Sequence, residues 1–313
     1  MIEEFIKNDL KREYFQVKID NNYTAGHGHI LSVKIVMPCY CQANCPFCFN
    51  NQTINTQKHD WHEFTSHIYN SFEDIFKTIN NRKISIDITG NEPTFNINQF
   101  EELMKILYNI KKWYLNKIDK IILTTNGFHL YECIPYMNNV IDIVNISLHH
   151  YDYNQRRKIF GTKYIPSNED LKNIIKALNS INITVTSVAV IYDNIPMLDF
   201  VPSFAEFSKN VGFKDVRIRI NFTTSNSFIR NKFYDKITDN EKIVEQKGLS
   251  TKYLDFNGYN VNIYLGVTDL IDYVIGVELV IDDDGKLYID YNKRYTINRE
   301  SLNDFNTNIY LIN

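Results

Sequence analysis

The chain has 313 residues, of which 44% are hydrophobic, so it can bury a large core in one α/β domain with an appendage or in two compact domains. Its 34 basic and 37 acidic residues leave a formal charge of -3, so no specific nucleic-acid binding is expected. Charges interrupt Met1 to Phe15, and no apolar run approaches the roughly 18 residues that span a bilayer, so we predict a cytoplasmic protein without membrane contact.

From Leu31 onward, short β-branched runs alternate with longer amphipathic stretches, a pattern typical of βα units that build a parallel sheet. The predicted strands are Leu31 to Met37, Lys83 to Thr89, Lys120 to Thr125, Ile141 to Leu148, Thr184 to Ile191 and Asp215 to Ile220. The predicted helices are His59 to Ile79, Ile97 to Leu115, Leu130 to Asn138, Asn168 to Ser180 and Phe200 to Lys209. Six such units predict an α/β fold, either a partial barrel or a doubly wound sheet, with ligands at the carboxyl ends of the strands.

After Ile220 the βα rhythm becomes irregular, and a loop-rich stretch is predicted. A β-hairpin is predicted next, from Val277 to Ile281 and from Lys286 to Asp290, with its turn at Asp284-Gly285. We therefore predict three parts: an N-terminal extension at 1–30, a core of six units at 31–220, and a C-terminal cap that forms part of the substrate region at 221–313.

Four of the five cysteines, Cys39, Cys41, Cys45 and Cys48, fall directly after the first predicted strand. In a reducing compartment such clustering indicates metal binding. The last three have the spacing C-x-x-x-C-x-x-C, and three thiolates can hold three irons of a cubane cluster while the fourth iron stays open to a small molecule. A zinc site with Cys39 as fourth ligand is the alternative, but zinc sites usually pair two C-x-x-C hooks and this loop has one. Cys39 is interpreted as a small apolar filler.

This spacing, with the aromatic Phe47 directly before the last cysteine, resembles the radical S-adenosylmethionine (radical SAM) superfamily. The resemblance implies a partial (β/α)6 barrel and a [4Fe–4S] cluster on Cys41, Cys45 and Cys48, with S-adenosylmethionine chelating the open iron and Phe47 beside the cofactor. It also implies an electron donor such as flavodoxin or ferredoxin. One electron would cleave the cofactor to methionine and a 5′-deoxyadenosyl radical, which abstracts hydrogen from an organic substrate.

Three further segments at predicted strand ends resemble motifs of the same family. Gly90-Asn91-Glu92-Pro93 is similar to the family's G-G-E-P, which binds the methionine ammonium, and Asn91 tolerates the left-handed conformation that a second glycine would take. Asn126, within Thr124-Thr125-Asn126-Gly127, matches the family's T-N-G. Ser147 lies where family members bind the ribose or carboxylate of the cofactor. A turn without a ligand is the alternative interpretation of Gly90-Asn91-Glu92-Pro93. Taken alone, the Asn126 turn and Ser147 are weak signals, because any tight turn favours Asn and Gly and a single serine on a strand has little meaning.

Four other residues have a functional and a structural interpretation. Arg157 could bind the methionine carboxylate, as an arginine after this strand does in some relatives, or be a solvated charge. Arg217 and Arg219 alternate along the sixth strand and share one face. Inside a barrel they would need a carboxylate or phosphate from the protein or from a substrate, and the alternative is an outward face covered by a helix. Cys133 could donate a hydrogen atom to a product radical, although a buried packing role is the simpler interpretation.

The sequence therefore predicts a radical SAM enzyme that acts on a small metabolite, a nucleoside or sugar, or a ribosomal peptide, with the reaction type (oxidoreductase, lyase, isomerase or epimerase) left open. No cysteine follows Cys133, so we expect no C-terminal auxiliary-cluster (SPASM or twitch) domain. The alternatives are an activase that acts on a glycyl-radical enzyme as its protein partner, and an iron–sulfur electron-transfer protein without catalysis.

Overall fold

A computed structural model describes residues 30–48, 60–78, 83–191, 197–220, 242–247, 251–256, 259–265 and 278–288. Within these ranges the strands are β1 (Ile30–Val36), β2 (Lys83–Thr89), β3 (Ile118–Thr125), β4 (Ile143–Ser147), β5 (Thr184–Ile191), β6 (Asp215–Ile220), β7 (Lys242–Lys247), β8 (Thr251–Phe256), β9 (Tyr259–Leu265), β10 (Glu278–Ile281) and β11 (Leu287–Tyr288). The predicted N-terminal extension, apart from Ile30, lies outside the described residues.

The described helices are α1 (Trp61–Thr78), α2 (Ile97–Trp113), α3 (Leu130–Met137), α4 (Tyr153–Phe160), α5 (Asn168–Ser180) and α6 (Met197–Val211). Local signals set several of their ends. Asn96 caps α2 by accepting hydrogen bonds from the backbone of Asn98 and Gln99, and Ser167 and Asp170 form a capping box at the start of α5. None of the helices in the described ranges is long and apolar enough to cross a membrane.

The strands form one 11-stranded sheet in the order β11-β10-β1-β2-β3-β4-β5-β6-β9-β8-β7. Neighbouring strands from β10 through β1 to β6 and on to β9 are parallel, whereas β11, β8 and β7 join antiparallel. The described strands β1 to β6 lie side by side in chain order, without the reversal that marks a doubly wound sheet. The predicted α/β fold is therefore confirmed in its partial-barrel form.

The two faces of the sheet have different environments. Val33 and Ile35 of β1 and Ile86 of β2 are fully buried in one cluster with Phe64 of α1 and Leu103 of α2. Because side chains alternate across a strand, the residues between these positions face the other side. We call that side, which is turned away from the helices, the inner face.

Two features differ from the predicted elements. Helix α4 has no predicted counterpart, because its buried residues are Arg156, Ile159 and Phe160, and two apolar residues at one end make no amphipathic stripe. The prediction of a loop-rich stretch after Ile220 is wrong for 242–247, 251–256 and 259–265, which form β7, β8 and β9. These short antiparallel strands interrupt the βα rhythm on which the other predictions rest.

The predicted hairpin is present as β10 and β11, joined by a turn at Asp282 to Gly285. Strand β10 pairs in parallel with β1, with Ile35 opposite Ile281, so the hairpin extends the sheet beside the first strand. The division of the chain into a core at 31–220 and a cap at 221–313 stays a prediction, although strands from both parts share one sheet.

Gly285 fixes the hairpin against α1, and its replacement by alanine is expected to lower the free energy of unfolding by about 2–4 kcal/mol. The residue has φ +76, and an added Cβ would lie 2.3 Å from the carbonyl oxygen of Phe64. Ser71 Oγ donates to the Gly285 carbonyl at 2.8 Å, so this turn cannot move away without losing that bond. Urea unfolding measures the change. Lys286→Ala, on the same turn but exposed, is the control, and an unchanged midpoint for Gly285→Ala would show that this contact is not tight.

Candidate functional site

The cysteine loop leaves β1 at the edge of the sheet where the parallel strands end. The Cys39 N–H donates to the Met37 carbonyl at 2.8 Å and turns the chain, and the Asn44 N–H donates to the Phe160 carbonyl at 2.8 Å. The Cys48 N–H donates to the Cys45 carbonyl at 3.0 Å and closes the last turn. The loop is thus fixed between β1 and the end of α4.

Three thiols of this loop lie near one another and near solvent. Cys41 is exposed, and Cys45 and Cys48 are partly exposed. Although Cys41 reaches solvent, protein atoms around its sulfur displace part of the hydrating water, and this desolvation raises the pKa of Cys41 to about 11. Desolvation also raises the pKa of Cys45 to about 12, and the charge of Cys48 adds to both shifts. The three sulfurs are therefore close enough to repel one another as thiolates, a repulsion that a bound cation would reverse.

Cys39 has a different environment from the other three cysteines of the loop. Its side chain is 4% exposed, and its Sγ donates to the Glu92 carbonyl at 3.2 Å. Burial, and then the charge of Glu92, raises its pKa to about 12. These contacts support its interpretation as a buried filler that packs β1 against the end of β2.

The turn after β2 contacts the start of the cysteine loop. Gly90 has φ +76, and a Cβ there would lie 2.9 Å from Val36 Cγ1 of the neighbouring strand. Asn91 has φ +46, the left-handed conformation predicted for it, and its Nδ2 donates to the Met37 carbonyl at 3.1 Å. The turn therefore needs glycine at 90 and anchors the chain directly before the cysteines.

Glu92 is buried and joins the turn after β2 to the turn after β3. Its Oε1 accepts from Thr94 N at 3.1 Å, from Thr94 Oγ1 at 2.6 Å and from Thr125 Oγ1. Its Oε2 accepts from Asn126 N at 2.7 Å. Burial raises the pKa of this carboxyl, and the hydrogen bonds oppose that shift. Glu92 is the side chain predicted to bind the methionine ammonium. In this structure both of its carboxylate oxygens accept hydrogen bonds from the protein.

Asn126 links the turn after β3 to the cysteine loop. Its Nδ2 donates to Cys41 Sγ at 3.7 Å and to Gln42 Oε1 at 3.4 Å, and Gln42 Nε2 donates back to Asn126 Oδ1 at 2.9 Å. Gln42 Nε2 also lies 3.3 Å from the Tyr164 carbonyl. A continuous set of contacts therefore runs from Glu92 through Asn126 to the sulfur of Cys41.

Phe47 packs its ring against His149, with the ring centroids 4.7 Å apart and the planes at 72°. His149 is buried with φ +62, and its Nδ1 accepts from the backbone N–H of Val190 at 3.1 Å. Burial lowers the pKa of His149 to about 3, so near neutral pH the ring is uncharged with its proton on Nε2. This ring supports the cysteine loop from the side of β4 and β5.

The other predicted site residues are less closely grouped. Ser147 ends β4 on the inner face at the same edge. Arg157 is exposed on α4, with its guanidinium 5.9 Å from the ring centroid of Tyr153. Cys133 is fully buried in the core on the helix side of the sheet, where burial raises its pKa to about 12. That position favours packing over hydrogen-atom donation.

Three contributors to the site were not predicted: Gln42, Thr94 and Thr125. Gln42 lies between two cysteines, where any polar residue satisfies the motif spacing. The two threonines occupy ordinary positions beside the turn motifs. His149 follows the fourth strand among other titratable residues, a position that predicts either a group near the ligand cavity or a surface cluster at a helix start. In the structure its buried ring packs against Phe47 of the cysteine loop.

Comparisons with known proteins agree with this geometry. A family model described as the radical SAM superfamily matches residues 35–206, more than half of the chain. Streptococcus suis SuiB bound to S-adenosylmethionine has a similar fold, with 14% identity and a TM-score of 0.54 over 91% of this chain and 68% of that chain. SuiB bound to its precursor peptide SuiA matches at 14% identity and a TM-score of 0.55, over 96% of this chain and 68% of that chain.

A second protein, anSMEcpe with bound AdoMet and the Cp18Cys peptide, matches at 14% identity and a TM-score of 0.51, over 90% of this chain and 83% of that chain. At these identities the solved structures establish the fold alone. A search of curated proteins finds no match.

Proposed function

Because the chain belongs to the radical SAM superfamily, whose members are generally enzymes, we propose that Cys41, Cys45 and Cys48 hold a [4Fe–4S] cluster used to cleave S-adenosylmethionine reductively. The observation that carries this proposal is the position of the three thiols: one loop at the carboxyl end of β1, in contact with the turns after β2 and β3. In barrels of parallel strands, cofactors and substrates bind among the loops at the carboxyl ends of several strands, and the three thiols lie at such a place.

The residues present fit such a cluster better than a zinc ion. Cys41, Cys45 and Cys48 supply three interacting sulfurs, while Cys39, the fourth ligand that zinc would need, is buried with its sulfur on the Glu92 carbonyl. In the ranges described above, no three Cys, His, Asp or Glu side chains already stand in metal-binding geometry. We therefore expect the loop to close as the cluster is assembled.

When bound, the cluster and S-adenosylmethionine supply a one-electron cleavage of the cofactor and the abstraction of hydrogen from a substrate. The chain positions this chemistry. Asn126 Nδ2 donates to Cys41 Sγ, and hydrogen bonds to cluster sulfurs raise the reduction potential. His149 and Phe47 hold the last part of the loop, and Glu92 keeps the two adjoining turns together.

The cofactor contacts proposed for this chain follow from the strand ends. Backbone carbonyls of Gly90 and Asn91 are suited to the methionine ammonium, and the hydroxyl of Ser147 to the ribose or carboxylate. Arg157 is the proposed partner of the methionine carboxylate and would have to turn inward from its exposed position on α4.

We propose a peptide, a small metabolite, or a nucleoside or sugar as the substrate. Two proteins with similar folds, SuiB and anSMEcpe, have structures with bound peptides, which supports the peptide class.

The residues after Cys133 contain no cysteine, so that part of the chain cannot hold an auxiliary cluster through thiolates. Flavodoxin or ferredoxin is the proposed electron donor.

Reductive cleavage of the cofactor tests the proposed function. Protein reconstituted anaerobically with iron and sulfide is incubated with S-adenosylmethionine and dithionite, and the products are separated by chromatography. We expect 5′-deoxyadenosine and methionine, with none when dithionite is omitted. A spectroscopically intact cluster that releases no 5′-deoxyadenosine would favour the electron-transfer alternative.

A further inference from the structure

Polar side chains on the inner face of β1 to β4 form hydrogen bonds with one another. Lys34 Nζ donates to Asp87 Oδ2 at 2.5 Å, and Thr124 Oγ1 donates to Asp87 Oδ1 at 3.0 Å. Asn145 Nδ2 donates to Thr124 Oγ1 at 3.3 Å. One connected set of hydrogen bonds therefore crosses four neighbouring strands and supplies the counter-charge for Lys34.

This set ends at Asn145. The side chain is 5% exposed, and its Oδ1 is buried without a hydrogen-bond partner. A buried amide oxygen without a donor is unfavourable, so a donor from a bound molecule would be stabilised at this position.

Arg217 on β6 faces the same side of the sheet. Its neighbours in the strand, Val216 and Ile218, are fully buried in the core with the helices, so Arg217 and Arg219 lie on the inner face. Arg217 Nε is buried without a hydrogen-bond partner, whereas Arg219 is exposed.

The strand neighbours of Arg217 that the structure describes include no counter-charge of the kind that Asp87 provides for Lys34. Its register partners are Val188 on β5 and Asn262 on β9, and neither is anionic. Asp215, the acidic residue before it on this face, accepts from its neighbour's backbone, Val216 N, at 2.9 Å. Among the residues that the structure describes, none of the ion pairs involves Arg217 or Arg219.

The strand register places Arg217 near the proposed cofactor site. Ser147 on β4 is opposite Val188 on β5, which is opposite Arg217 on β6. Two strand spacings separate Ser147 from Arg217, which is roughly 10 Å. A small molecule bound to Arg217 would therefore lie close to the cofactor site proposed at Ser147.

We propose that the inner face of β6 binds an anionic group of the substrate, a carboxylate or a phosphate, with Arg217 as its principal ligand and Arg219 beside it. A partly buried guanidinium whose Nε has no hydrogen-bond partner costs free energy, and an oxyanion with two acceptor oxygens matches its planar donors. The position of this site relative to the cofactor rests on the proposed function, and its charge preference does not.

Thermal unfolding of the full chain tests the anion site. The melting temperature is measured in sodium phosphate and in sodium succinate, which is the carboxylate probe, and each is compared with sodium chloride of equal ionic strength. Phosphate stabilises most proteins to some degree, so the diagnostic quantity is the difference between variants. In at least one of the two anions, we expect the rise in Tm relative to chloride to be larger for wild type than for Arg217→Met by about 2 °C or more. Lys112→Met, which removes a charge from the exposed side of α2, should respond as wild type does.

Equal responses of wild type and Arg217→Met to both anions would overturn the proposal. If Arg217→Met does not fold, Arg219→Gln replaces it, because that side chain is exposed. Its response to the stabilising anion should be smaller than that of wild type, and an undiminished response would likewise overturn the proposal.

A second measurement separates the substrate from the cofactor as the source of the anion. In the reconstituted protein, Arg217→Met should bind S-adenosylmethionine with the same Kd as wild type. A tenfold or larger loss of cofactor affinity would assign Arg217 to the methionine carboxylate and overturn the substrate site. The anion measurements need no cluster, so they fail independently of the proposed cleavage reaction.

Discussion

Replacement of Cys41, Cys45 or Cys48 by alanine is expected to remove the iron–sulfur chromophore, whereas Cys39→Ala should leave it intact. Each of the three thiols supplies one of the three protein ligands of the proposed cluster, and no fourth thiolate is placed to substitute for a lost one. Bound iron should fall from about four atoms per chain to nearly none in each of the three variants.

Cys39→Ala is the matched control because it removes a thiol of the same loop. Cys39 is buried and directed at the Glu92 carbonyl, so its loss costs packing but no ligand. Visible absorption and iron analysis after anaerobic reconstitution measure both effects. A Cys39→Ala protein without a chromophore, or a Cys45→Ala protein that keeps four irons, would contradict the ligand assignment.

Glu92→Gln is expected to lower the free energy of unfolding by about 1–3 kcal/mol and to weaken binding of S-adenosylmethionine. The carboxylate accepts hydrogen bonds on both oxygens, from Thr94, Thr125 and the backbone of Asn126. An amide directs an NH2 group at one of these donors, so that donor loses its acceptor in a buried site. The turns after β2 and β3 would separate, and Asn126 would move from Cys41.

Glu101→Gln is the control for Glu92→Gln, since Glu101 is an acidic residue on α2 paired with the exposed Lys105 at the surface. Surface pairs of this kind contribute little, so its unfolding midpoint should match that of wild type. Urea unfolding and cofactor titration of the reconstituted proteins provide the two readouts. A Glu92→Gln protein with wild-type stability and affinity would show that the buried carboxylate does not hold the two turns.

The predicted elements agree with the structure where local signals are strong. Lys83–Thr89 and Asp215–Ile220 have the predicted bounds because their β-branched runs alternate cleanly between two faces. Asn168–Ser180 also agrees, since a capping box starts it and an apolar stripe continues through it. Helix α4 and strands β7 to β9 were missed because they lack such a stripe or lie outside the βα rhythm.

Motif spacing predicted which segments gather at the carboxyl edge of the sheet, and the structure brings the cysteine loop and the turns after β2 and β3 together there. The side-chain partnerships could not be predicted in the same way. Glu92 meets Thr125 and Asn126 across 33 and 34 positions of sequence, and only the register of β2 and β3 determines that meeting. The unpartnered Arg217 Nε likewise depends on which groups line the inner face.

The open iron of the proposed cluster is tested most directly by electron paramagnetic resonance of the dithionite-reduced protein with and without S-adenosylmethionine. We predict a [4Fe–4S]+ signal whose g values change when S-adenosylmethionine is added, because its amino and carboxylate groups would bind the iron that has no cysteine ligand. A signal that is unchanged at saturating S-adenosylmethionine, or anaerobically purified protein that contains zinc in place of iron, would contradict the three-thiolate cluster.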